Sequence, residues 1–131
     1  MSRRKKKLDN ISSLAVNISQ PQSEKLVGEE LQSSLKLTPD EAKRKITLFL
    51  DERGTFEPSF HCRESMRKRK VSDLDVVKAL ETGEVIKEPE WDDNFQNWKY
   101  RVEGVDIEGD ELTAVTIIFD VSMTLFIVTV F

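Results

Sequence analysis

A chain of 131 residues can enclose one modest hydrophobic core but not two independent ones. Its formal charge of -4 is unevenly spread: residues 1–37 carry seven Lys or Arg against four Asp or Glu, and the remainder carries thirteen against twenty. So acidic a body excludes nucleic-acid binding over a broad basic footprint, where counterion release supplies most of the affinity, and confines any such contact to a local cluster.

The first 36 residues are rich in Ser, Gln, Lys and Glu with apolar residues scattered among them, which is too little burial to offset ordering entropy. They read as a disordered, flexible basic arm, and the single α+β domain is expected over 38–131. Within the arm, the run Arg3 to Lys7 has the charge to meet RNA, anionic lipid or an acidic partner, or to serve as a solvated tail. The opening residues lack the sustained apolar stretch of an export signal, and no segment reaches the apolar length of a membrane span, so no membrane association and a cytoplasmic location are expected. The single cysteine, Cys62, agrees with a reducing compartment.

Structure is expected to begin at Thr38, where T-P-D-E offers an N-cap, a proline at the first helical position and a glutamate able to close a capping box. Ala42, Ile46, Phe49 and Leu50 follow at helical spacing, and Gly54 ends the helix. Residues 55–60 read as an extended connection limited by Pro58. A second helix is expected over 61–69, with Cys62 and Met66 as its apolar stripe, Arg69 near that stripe and near His61, and Ser65 and Lys68 flanking His61 on the other side. Ser72 caps a third helix, with Asp73 and Asp75 in its first turn, Val76, Val77 and Leu80 on its buried face, and Gly83 at its end.

From Glu84 the period changes to two, and strands are expected over 84–88, 97–103, 111–119 and 124–131. Trp98, Tyr100 and Val102 share one face of the second of these, and Lys99, Arg101 and Glu103 the other, the mark of an antiparallel sheet covered on one side. The terminal LFIVTVF is apolar at nearly every position and suits a central strand. The expected fold class is α+β, with helices packed on an antiparallel sheet of about four strands.

One His and one Cys, adjacent in sequence and pointing about 100° apart on a helix, cannot assemble a metal site or a nucleophile pair. The five glycines build no phosphate-binding loop, so no metal or cofactor is expected. The surviving constellation is His61 with Arg69, Lys99 and Arg101. Metal-free RNA cleavage needs a group to take the 2′-hydroxyl proton, a group to protonate the leaving oxygen and cations for the phosphorane charge, and these residue types suffice. Against it stands the ordinary role of a lone histidine near a helix start, a cap or half-buried core group.

The series His61, Met66, Arg69, Val71, Ser72, Asp75, Val76, Ala79, Leu80 and Gly83, continued by Tyr100, Arg101 and the terminal Thr129, Val130 and Phe131, resembles a mostly bacterial family catalogued as domain of unknown function 4258. The resemblance covers residues 38–131, with the first helix as a leader. That family is similar to the RelE-type toxin superfamily, in which helices pack on a curved antiparallel sheet and many members cleave RNA without metal, restrained by an antitoxin. The chain departs from the pattern at Ser65, a position often basic in the family.

The resemblance implies a toxin-like, metal-independent endoribonuclease, acting on RNA or at the ribosome and paired with an antitoxin protein. In it His61 is the general acid or base, Arg69 and Arg101 are catalytic cations, and Lys68, Lys99 and Tyr100 bind substrate, while the alternation of Tyr100 with Trp98 also suits burial. The alternative is a non-catalytic protein-interaction domain of the same fold with a structural His61. A third possibility makes the basic arm the working part.

Overall fold

The computed structural model describes residues 35–131. The expected flexible arm therefore lies, save for Leu35 and Lys36, outside the described residues, and so does the run Arg3 to Lys7. Among these residues three helices, α1 (Pro39–Asp51), α2 (Phe60–Arg69) and α3 (Asp73–Thr82), accompany five strands: β1 (Thr55–Pro58), β2 (Glu90–Asp92), β3 (Asn97–Val105), β4 (Glu111–Phe119) and β5 (Thr124–Val130). The sheet order is β1-β5-β4-β3-β2, antiparallel throughout except where β1 runs parallel to β5.

Helices α1 and α3 start where the sequence places their caps. The Thr38 hydroxyl accepts from the Glu41 N–H, and the Glu41 carboxylate accepts from the Thr38 N–H at 2.9 Å, closing the capping box. Ser72 and Asp75 close the equivalent box at α3. At α2 the cap is Ser59, whose Oγ accepts from the Cys62 N–H at 2.9 Å and donates to the Val128 carbonyl at 2.7 Å, so one side chain starts the helix and fastens it to β5. The sequence placed this start at His61, one residue late. Helix α1 ends at a left-handed Arg53, and Gly54 is needed for another reason: a Cβ there would collide with the Met123 carbonyl in the β4–β5 turn.

Two expectations about the sheet are corrected. Residues 55–60 are not merely a connection, since Thr55 to Pro58 pair in parallel with Thr124 to Ile127 and raise the sheet to five strands. Such a short run closed by a proline carries little periodic signal of its own. Conversely, 84–88 makes a single bridge, Glu84 with Glu103, and the edge strand instead forms beyond Pro89, at β2.

One face of the sheet takes the helices. Tyr100, Val102, Ala114, Ile118, Leu125 and Ile127 join Ala42, Ile46, Phe49, Cys62, Met66, Val76, Ala79 and Leu80 in one core. The register slips between Val115 and Thr116, so Val115 faces Thr129 while Thr116 faces Ile127. This bulge lets Ile127 and Val130, three residues apart, both enter the core, which is why β5 shows no clean alternation. Helix α3 approaches β3 through glycine: a Cβ on Gly104 would meet the Ala79 carbonyl and the Gly83 Cα. Gly104→Ala should therefore cost about 1–3 kcal/mol, the usual range for overpacking, read as a lower urea midpoint with an unchanged m-value.

Candidate functional site

No helix among the described residues covers the other face of the sheet, and its side chains follow from the register. Arg101 on β3, Val115 on β4 and Thr129 on β5 lie directly opposite one another, a row spanning about 10 Å at ordinary strand spacing. The row continues onto α2, because the Thr129 hydroxyl lies 3.4 Å from that of Ser65. The neutral residue at position 65 is thus one that can meet Thr129. The Arg101 guanidinium sits over the Phe131 ring at 5.3 Å from its centroid. Lys99, on the same face of β3, donates to the Asp92 carboxylate at 3.2 Å, and Asp92 also accepts from the Phe95 N–H at 3.1 Å.

Between these side chains lies a cleft of about 170 Å³. Val115 and Val128 give it an apolar floor, Phe131 and Thr129 close one side, Lys99 and Arg101 supply charge from β3, and Lys87, Glu88 and Glu90 border it from the segment leading into β2. Aromatic rings extend the bare face beyond the cleft. Phe95 folds over from the β2–β3 turn to meet Phe126 edge to face at 5.1 Å, and Phe126 stands 6.3 Å from Phe119.

The residues singled out in the sequence are distributed unequally around this cleft. Lys99 and Arg101 are brought together in it, as the alternation along β3 requires. His61 is exposed on the first turn of α2, one turn before Ser65 and on the same side, and has no hydrogen bond or ion pair among the described residues. Arg69 lies eight positions after His61, about 12 Å along the helix axis, and its Nη2 donates to the Glu111 carbonyl at 3.4 Å. The structure does not bring His61 and Arg69 together. Lys68 is exposed on the last turn.

Tyr100 belongs to the core, 2% exposed, with its hydroxyl accepting from the Leu37 N–H at 2.9 Å, so it is not presented to the cleft. Burial raises its phenol above the ordinary range, and the Leu37 bond opposes that shift. Burial likewise pushes the Cys62 thiol up to about 11, well away from a reactive thiolate. Sequence reasoning gave no site role to Thr129, Phe131, Glu90 or Lys87. The bulge hid the first, and the edge strand carrying Glu90 was itself missed.

No group of three or more His, Cys, Asp or Glu side chains among the described residues is placed to hold a metal ion, and no helix among them is long and apolar enough to cross a membrane. Fold and cleft together define a small α+β domain whose helices back one face of a mixed sheet and whose other face bears a local cationic cleft. The chain belongs to the family described as Domain of unknown function (DUF4258), whose match covers residues 59–131. No curated protein and no solved structure matches the chain.

Much of the pattern that carries this membership builds the fold. Met66, Val76, Ala79, Leu80 and Val130 are core, and Gly83 belongs to the close approach of α3 to β3. Asp75 accepts from the Ser72 N–H at 2.9 Å and from the Ile107 N–H at 3.1 Å, tying the start of α3 to the β3–β4 turn. These backbone bonds hold its carboxyl below the usual range. A carboxyl depressed in the folded state stabilises above its unfolded value, near 3.8, and that contribution fades as pH falls through the lower folded value. Wild type should thus lose stability relative to Asp75→Asn as the pH falls from about 5 through this window, in thermal melts compared across the range. Parallel curves would remove this role from Asp75.

Proposed function

We propose that the domain is a toxin-like, metal-independent endoribonuclease related to the RelE type, working in the cytoplasm on RNA or ribosome-bound RNA and restrained by an antitoxin protein. The observation that supports this reading best is the cleft itself. Lys99 and Arg101 project into it, and the row through Thr129 to Ser65 links it to the helix face that bears His61. Cations confined to one cleft are what RNA contact by an otherwise acidic body requires.

In this mechanism Arg101 binds the scissile phosphate and stabilises the dianionic phosphorane. Half-buried and stacked on Phe131, its guanidinium is already oriented for that task. His61 exchanges the proton of the 2′-hydroxyl or of the leaving oxygen, and its exposure leaves the imidazole accessible to a bound strand. Lys99 offsets charge at the rim beside Asp92, and Lys68 and Arg69 meet phosphates further along. An antitoxin acts by covering the cleft.

One feature favours a second reading, a non-catalytic interaction domain. Phe95 and Phe131 are 40% and 48% exposed on the bare face, an apolar border of the kind protein partners cover. The two readings part in one experiment. Purified protein should cut RNA in the presence of EDTA, and His61→Ala and Arg101→Ala should each slow cleavage by about 10² or more with melting temperatures unchanged. Absence of cleavage, or cleavage indifferent to both substitutions, would leave the interaction domain standing.

A further inference from the structure

Glu90 borders the cleft, and its cross-strand partner is engaged elsewhere. It pairs in register with Lys99 across β2 and β3, so both side chains stand on the bare face and would ordinarily form a cross-strand ion pair. Lys99 instead gives its ammonium to Asp92, at 3.2 Å, and Asp92 is almost wholly buried. Glu88 has Lys36 at 3.9 Å, whereas Glu90 has no ion pair among the described residues. A carboxylate with two free acceptor oxygens therefore borders a cleft that also holds an aromatic ring with a guanidinium against it.

Each part suits one portion of a nucleotide. Phe131 offers a stacking surface for a base, with the apolar floor of Val115 and Val128 beside it, and Arg101 offers a phosphate contact next to that ring. The carboxylate decides which base. Guanine alone presents two adjacent donors on its Watson–Crick edge, N1–H and the N2 amino group, matching the two oxygens of a carboxylate. Adenine and cytosine pair a donor with an acceptor there, and uracil places acceptors on both sides of a single donor, so each would set a lone pair against Glu90.

We infer that the cleft is a guanine subsite for single-stranded RNA, with the base stacked on Phe131, its Watson–Crick edge read by Glu90 and its phosphate held by Arg101. This rests on the reading of the cleft as an RNA site and adds a base preference to it.

The test uses the full chain and four 2′-O-methyl tetranucleotides, UUGU, UUAU, UUCU and UUUU, which cannot be cleaved through the 2′-oxygen, with affinity measured by fluorescence anisotropy. UUGU should bind about tenfold or more tightly than the other three. Glu90→Gln should bring all four within about twofold, and Phe131→Leu should weaken UUGU by about tenfold. Equal binding of the four by wild type, a guanine preference that survives Glu90→Gln, or no saturable binding would each overturn the inference. A guanine preference without cleavage of unmodified RNA would keep the subsite and remove the ribonuclease. Cleavage without any base preference would do the reverse.

Discussion

Strand β5 is the element on which both the fold and the cleft depend, because three kinds of contact converge on it. Its backbone pairs with β1 on one side and β4 on the other, its inward side chains Leu125, Ile127 and Val130 lie in the core, and its outer groups hold α2. That last attachment is specific: the Val128 carbonyl receives the Ser59 hydroxyl, the Ile127 carbonyl receives the Ser59 N–H at 2.9 Å, and Thr129 meets Ser65. The bulge opposite Val115 makes this possible. Without the extra residue Thr129 would point into the core as a hydroxyl seeking a partner, and Val130 would be turned toward solvent. One irregularity therefore keeps the core apolar and puts a polar residue between the helix and the cleft.

Charge is arranged with the same economy. Helix α3 has no basic residue in its last turn, and Lys43 of α1 fills that role, donating to the Leu80 and Glu81 carbonyls at 3.0 and 3.1 Å. Burial lowers the Lys43 ammonium from the ordinary lysine value, with Glu84 and Glu81 opposing the shift. On the bare face, Asp92 both shapes the β2–β3 turn and fixes Lys99. Arg101 is held by an aromatic ring and has no ion pair among the described residues, whereas Lys99 has surrendered part of its charge to Asp92. Of the two adjacent cations, Arg101 is the better placed to receive an anion.

How far the sequence disclosed this depends on whether a feature was local. The three helices, the caps of α1 and α3, the buried pair Cys62 and Met66, and the division of β3 into a core face and a charged face all follow from spacing within a few residues, and all are present. What the sequence concealed is non-local. The parallel pairing of Thr55 to Pro58 depends on a strand about seventy residues away, and β2 exists because Asp92 and Asn97 bracket a turn whose Phe95 anchors on Phe126. The cleft was half legible. Alternation exposed Lys99 and Arg101, while Glu90 and Thr129 required the pairing and the bulge to be known first.

The same distinction bears on which residues have chemistry left to do. A residue that caps, packs or spaces the fold is already accounted for by its structural contacts, and Ser72, Asp75, Ala79, Gly83 and Tyr100 are of this kind. His61 and Arg101 are not, since neither the helix start nor the strand pairing calls for an imidazole or a guanidinium at those positions. Ser59 alone supplies the cap of α2. The two stand on separate elements that the Ser59 and Ser65 contacts to β5 hold in a fixed relation, so their separation is set by the fold and not by a flexible loop. A strand laid from Arg101 past Thr129 toward the first turn of α2 would meet both, and a single small ligand confined to the cleft would meet one. Under the proposed ribonuclease reading, the arrangement suits an extended, multiply charged polymer better than a small anion.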